Sequence, residues 1–124
     1  MTATQKRVLV IEDDPLVAMV MEDVLLRMGL AVYVNHSLAD ATNELELAEF
    51  DVALVDMGLR GESAYPLVQI LTARGTPFAI VTGADQPDLV TEFPGVLIAT
   101  KPLGIKALET VVQTLLGQAE TTTR

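Results

Sequence analysis

Residues Asp51 to Asp56 read Asp-Val-Ala-Leu-Val-Asp, four consecutive apolar side chains closed by a carboxylate. An alternating strand leaves one face for water, whereas an unbroken apolar run of this length needs cover on both faces. That is the condition of a strand in a parallel sheet packed between helices. In such a sheet ligands collect outside the carboxyl ends of the strands. Asp56 therefore stands where a reactive group would be placed, ahead of the polar, glycine-bearing loop Met57-Gly58-Leu59-Arg60-Gly61-Glu62.

The rest of the chain reads as partners for that strand. Arg7 to Ile11 predicts a first buried strand, followed by Glu12-Asp13-Asp14-Pro15. Asp14 as N-cap and Pro15 at the first helical position start a helix whose apolar residues run from Leu16 to Met28. Glu22, Asp23 and Arg27 give that helix a polar side, and Gly29 ends it. Ala31 to Val34 reads as a second strand. Ser37 caps a second helix through Ala48, with Leu38, Ala41, Leu45 and Ala48 at helical spacing. Tyr65 to Ala73 predicts a third helix, Phe78 to Thr82 a fourth strand and Val96 to Ala99 a fifth. Ile105 to Leu116 closes the chain as a helix, with Leu108, Val111, Val112, Leu115 and Leu116 turned inward. Between them Gly83 to Gly95 holds two prolines and two glycines. Only Asp88 to Phe93 keeps helical potential there, so a short, poorly formed fourth helix is expected. Strands alternating with helices predict an α/β fold, a doubly wound five-stranded parallel sheet in the flavodoxin-like order 2-1-3-4-5.

At 124 residues the chain suits one domain over 1–124, with a core of about 6–117, a tail at 118–124 and no output domain. A hydrophobic content of 50% and a mean hydropathy of +0.40 raise the question of a membrane span. The richest stretch, Leu16 to Met28, is interrupted by Glu22, Asp23 and Arg27, and a span needs about 20 apolar residues. The first residues carry no secretory pattern, and cysteine is absent, so a cytoplasmic protein is expected. A formal net charge of −9 argues against binding to nucleic acid, which needs clustered lysine and arginine. It favours a metal cation or another protein as partner. His36, the single histidine, reads as a surface loop residue, and no histidine pair offers a transition-metal site. Met19, Met21 and Met28 read as core filler. Tyr33 and Tyr65 are too few to stack bases.

Assembled on one edge of the sheet, the strand ends present Asp13 and Asp14, then Asp56, Thr82 and Lys101. Three carboxylates so close repel one another, and a hard divalent cation such as Mg²⁺ or Mn²⁺ would relieve the repulsion. Lys101 adds a further positive charge. A carboxylate beside a cation, an ammonium and a hydroxyl is equipped to attack phosphorus, because phosphoryl transfer depends on positioning and charge neutralisation. Asp56 is the nucleophile on this reading. Plain structural readings exist for each part: Asp13 and Asp14 as helix caps, Lys101 as a solvated strand end, Thr82 as a β-favouring filler.

Glu12-Asp13-Asp14 after strand one, Asp56 after strand three, Thr82 after strand four and Lys101-Pro102 after strand five resemble the receiver domain of two-component response regulators, across roughly Lys6 to Leu116. The resemblance implies that Asp56 accepts a phosphoryl group from a histidine kinase or a phosphotransfer protein. It implies that Asp13, Asp14, Asp56 and the main-chain carbonyl of Gly58 hold Mg²⁺, that Lys101 binds phosphoryl oxygens and that Thr82 hydrogen-bonds them as the switch. It implies a cis Lys101-Pro102 bond. Pro77-Phe78-Ala79-Ile80-Val81-Thr82-Gly83, with Leu59-Arg60-Gly61-Glu62, is similar to the single-domain alphaproteobacterial receivers that carry Pro-Phe-x-x-x-Thr-Gly and are associated with HWE-type histidine kinases. Receivers usually place an aromatic switch residue three positions before the lysine, where this chain has Ile98. The expected switch and output residues are Thr82, Gly83, Ile98 and Pro102, with the output surface on the Gly83 to Gly95 segment, strand five and the last helix.

Three functions compete. The first is a monomeric or weakly dimeric receiver that signals through protein contacts or acts as a phosphate shuttle or sink, with no enzymatic activity beyond its own phosphorylation and dephosphorylation. The second is a pseudo-receiver that only binds proteins. The third is a Mg²⁺-dependent phosphohydrolase, disfavoured because Gly58 stands two residues after Asp56, where such enzymes often carry a second carboxylate.

Overall fold

The computed structural model describes residues 5–59, 62–83 and 93–122. The chain opens with β1 (Arg7–Ile11), α1 (Pro15–Arg27), β2 (Ala31–Asn35), α2 (Leu38–Leu47) and β3 (Val52–Asp56). A small ribbon of β4 (Gly58–Leu59) and β5 (Glu62–Ser63) follows, then α3 (Tyr65–Arg74), β6 (Phe78–Thr82), β7 (Leu97–Thr100) and α4 (Ile105–Thr122). Five strands form one sheet in the order β2-β1-β3-β6-β7, with every pairing parallel. This is the expected 2-1-3-4-5 order once the antiparallel β4-β5 ribbon is set aside.

Strand alternation divides the core in two. Leu9, Ile11, Ala53, Val55 and Ile80 point to one face, where they pack with Ala41 and Leu45 of α2 and Leu67, Val68 and Leu71 of α3. Val8, Val10, Val52, Leu54 and Ala79 point to the other, against Met21, Val24 and Leu25 of α1 and Leu108, Val112 and Leu115 of α4. Successive side chains on a strand take opposite faces, so a strand covered on both sides must be apolar at every position. Every residue of β3 and of β6 is buried, which is why both read as unbroken apolar runs. Each leucine or valine so enclosed contributes about 1.5–3 kcal/mol.

Helix boundaries follow local chemistry. Asp14 Oδ1 accepts from the amides of Leu16 and Val17 at 3.0 and 3.4 Å, and Pro15 takes the first helical position. At the far end Gly29, at φ +85°, donates to Leu26 O while Leu30 donates to Leu25 O. Gly75, at φ +72°, repeats the arrangement for α3 through Gly75 to Thr72 O and Thr76 to Leu71 O. Paired bonds of this kind close a helix when a residue can adopt the left-handed conformation, a role suited to glycine.

Several expectations need correction. The loop after Asp56 is not wholly irregular, because Gly58 and Leu59 pair with Ser63 and Glu62. Strand β7 begins at Leu97 rather than Val96, and β3 begins at Val52, with the Asp51 carboxylate instead accepting the Arg7 amide at 2.7 Å. Helix α4 runs on to Thr122 and buries Ala119, so the segment read as a tail belongs to the helix at least that far. Gly117 alone does not break it. Met21 is buried as expected, but Met19 is 59% exposed. Of the expected Asp88 to Phe93 helix, residues 88–92 lie outside the described residues.

Candidate functional site

Strand register decides which acidic residue after β1 enters the site. Val8 pairs with Val52 and Val10 with Leu54, side chains that share the face toward α1 and α4. One step past the last paired residues, Ile11 and Val55, the same register sets Glu12 alongside Asp56. Glu12 is fully buried and Asp56 nearly so. Carboxylate oxygens of Glu12, Asp13 and Asp56 lie within 4.8 Å of one another.

Asp14 stands outside that group and caps α1. The expected pairing of Asp13 with Asp14 is thus replaced, as geometry, by Glu12 with Asp13. The signal was present in the sequence: Glu12 continues the parity of Val8 and Val10, as Asp56 continues that of Val52 and Leu54. Asp14, two residues after Glu12, is already turned into the helix start.

Lys101 neutralises part of this charge. Its Nζ lies 2.7 Å from Glu12 Oε1 and 3.2 Å from Asp56 Oδ2. Strand β7 delivers it: Thr82 pairs with Thr100, and Lys101 is the next residue. Burial works against the ammonium, but hydrogen bonds to Glu12 and Asp56, with their charges, outweigh it and hold Lys101 above its usual value. For Glu12, burial is the main influence and raises the carboxyl, with the Asp56 charge adding to it. Hydrogen bonds from Lys101 and from the Asp14 amide, which reaches Glu12 Oε2 at 3.1 Å, oppose the rise without cancelling it. One ammonium thus serves two carboxylates in a poorly hydrated setting.

The other predicted residues surround this centre. Thr82 is buried at the end of β6, one residue past Val81, which pairs with Asp56. Gly83 and Pro102 are exposed beside it, and Ile98 is half-buried in β7 opposite Ile80. Gly58 begins β4, two residues beyond Asp56. The Lys101-Pro102 bond is cis.

The acidic group fits a hard divalent cation. Buried Glu12 Oε1 lies against the Lys101 ammonium, which it shares with Asp56, so one ammonium is divided between two of the three clustered carboxylates. Oxygen ligands suit Mg²⁺, and a cation there would lower the repulsion among the three carboxylates.

A parallel sheet of this order, with an acidic triad and a lysine at its carboxyl edge, is the architecture of a signalling receiver. The response regulator receiver domain model matches residues 8–113, and the chain belongs to that family. Membership places it in two-component signalling, in a family whose members bind Mg²⁺ at an acidic pocket of this kind. Among solved structures, a CheY-like receiver domain protein from Methanospirillum hungatei JF-1 superposes with a TM-score of 0.87 at 20% identity, covering 97% of this chain and 100% of its own. SdrG from Sphingomonas melonis Fr1 gives a TM-score of 0.79 at 28% identity, covering 93% and 99%. The chemotaxis response regulator CheY4 of Vibrio cholerae gives 0.80 at 21%, covering 91% and 100%. No curated protein matches the chain. Among the described residues no helix is long and apolar enough to cross a membrane.

Proposed function

We propose that this protein is a stand-alone receiver that takes a phosphoryl group onto Asp56 from a histidine kinase, of the HWE type, or from a phosphotransfer protein. The observation that carries this reading is the contact of Lys101 Nζ with Asp56 Oδ2 at 3.2 Å, beside two further carboxylates. An ammonium held against the attacking oxygen stays in place for the phosphoryl oxygens that arrive with the reaction.

In the transfer an Asp56 carboxylate oxygen bonds to phosphorus as the bond from phosphorus to the donor's imidazole nitrogen breaks. The displaced nitrogen keeps the bonding pair, and an acyl phosphate results. Lys101 exchanges its contact with Asp56 for the transferred oxygens, and Thr82 supplies a hydroxyl donor. Glu12, Asp13 and Asp56, with the Gly58 carbonyl, would hold Mg²⁺, which when bound neutralises charge on the phosphoryl group. The donor is a protein on this reading: exposed Leu16, Val20 and Ile105 border a groove of about 480 Å³ that reaches Lys101, offering apolar surface beside the site. Phosphorylation of Asp56 shifts an existing equilibrium in which Thr82, Gly83, Ile98 and Pro102 change their arrangement.

Intact mass after incubation with Mg²⁺ and phosphoramidate tests the assignment. The wild type is expected to gain one phosphoryl group that hydroxylamine removes, and Asp56→Ala to gain none. An unmodified wild type that also fails to accept phosphoryl from a phosphorylated histidine protein would leave an interaction module.

A further inference from the structure

His36 is the one histidine in the chain, and the proposed chemistry gives it no task. It is exposed, directly after β2, yet its ring is tied down. Nδ1 lies 3.0 Å from the main-chain carbonyl of Glu12. A carbonyl only accepts, so Nδ1 carries the proton and donates.

The bonded carbonyl belongs to the peptide unit that joins Glu12 to Asp13. That unit is planar, so fixing its oxygen restrains the rotation on either side of it, ψ of Glu12 and φ of Asp13. Those two rotations aim the two acidic side chains relative to one another. The Glu12 amide donates to Asn35 O at 3.0 Å, so β2 and its following residue grip Glu12 at both its amide and its carbonyl. On the far side Oε2 accepts from the Asp14 amide at 3.1 Å and Oε1 meets Lys101. Of the restraints named here, Lys101 and the Asp14 amide hold the Glu12 carboxylate, whereas the His36 side chain holds the Glu12 main chain.

We propose that His36 is a positioning residue for the acidic site, holding the Glu12-Asp13 peptide so that both carboxylates converge on a divalent cation. The inference rests on the reading of that site as a Mg²⁺ centre. Binding of an oxygen-seeking cation is sensitive to ligand placement, and groups that orient ligands at one remove are part of the affinity.

Mg²⁺ titration by calorimetry, with thermal melts of the metal-free proteins, separates this role from a purely structural one. His36→Ala is expected to weaken Mg²⁺ binding about 3- to 10-fold, the equivalent of one hydrogen bond. Its metal-free melting temperature is expected to stay at the wild-type value. His36→Asn, whose amide nitrogen replaces Nδ1 at the same distance along the side chain, is expected to restore affinity, and His36→Gln, with its donor one bond further out, is not. With phosphoramidate, the His36→Ala phosphorylation rate is expected to return to the wild-type value at saturating Mg²⁺. Unchanged Mg²⁺ affinity in His36→Ala, or no recovery with His36→Asn, would overturn the positioning role while leaving the site intact. A wild type that binds no Mg²⁺ would overturn both the role and the site reading beneath it.

Discussion

Lys101 donates its main-chain amide to the carbonyl of Thr82 at 2.8 Å. The bond extends the β6-β7 ladder one step beyond the pairing of Thr82 with Thr100. The residue with the ammonium and the residue with the hydroxyl are thus coupled through backbone, independently of the threonine side chain. Thr82→Ala is expected to bind Mg²⁺ as the wild type does, because that bond survives, and to accept phosphoryl more slowly for want of the hydroxyl donor. In ¹⁵N spectra the Lys101 amide of the variant should respond less to phosphorylation.

Asp14 provides a sharp test of which acidic residues serve the cation. Removing its capping bonds to Leu16 and Val17 in Asp14→Ala should lower stability by about 1 kcal/mol. Asp14→Ser should recover most of it. Mg²⁺ affinity should be unchanged in both, as read by calorimetry beside denaturant melts.

The pH dependence follows from Glu12. Its carboxyl is held above the ordinary value of 4.5, first by burial. An acid raised in the folded state contributes fully to stability below its unfolded value and loses that contribution as the pH rises through the folded one. Metal-free stability should therefore decline as the pH climbs from 4.5 through the folded-state value, and Glu12→Gln should flatten the decline. Lys101, raised above 10.5, follows the same sign in the alkaline range. Denaturant midpoints measured against pH in a chelator check both.

Mg²⁺ should stabilise the fold by linkage. At a concentration one hundred times its dissociation constant, a ligand bound only by the folded state adds about 2.7 kcal/mol. Asp56→Asn and Glu12→Gln should each lose most of that increment, measured as the difference between melts with Mg²⁺ and with chelator.

Two glycines should respond in opposite directions to the same substitution. Gly29 sits at φ +85°, where an added side chain costs about 1–2 kcal/mol even though nothing lies within 4 Å of its Cβ position. Gly117 is exposed within α4, also in open space. There Gly117→Ala should add about 0.5–1 kcal/mol. Melting temperatures of the two variants decide the matter.

The sheet was legible because Val52 to Val55 and Phe78 to Val81 need cover on two faces, and few architectures provide it. The start of α1 was legible because Asp14-Pro15 states its own local chemistry. The site was legible as an edge with Asp13, Asp56, Thr82 and Lys101 upon it. Glu12 was missed as a member because three adjacent carboxylates look equivalent until strand parity is carried one residue beyond Ile11. The β4-β5 ribbon was invisible because two paired residues leave no periodicity to read. The extent of α4 was underestimated because Gly117 and the threonines beyond it suggest an ending, whereas the buried Ala119 gives the last turns something to hold.

The sheet does not grip its two principal actors equally. Asp56 ends β3, enclosed along its whole length with a neighbouring strand on either side, while Lys101 follows β7, half-buried and bordered by one strand only. Asp56 is the more firmly held member of the pair and the Lys101 ammonium the more compliant one. A change of charge at Asp56 should therefore be absorbed at the sheet's margin, so that the proposed reaction at its centre would be felt first along one outer rim of the molecule.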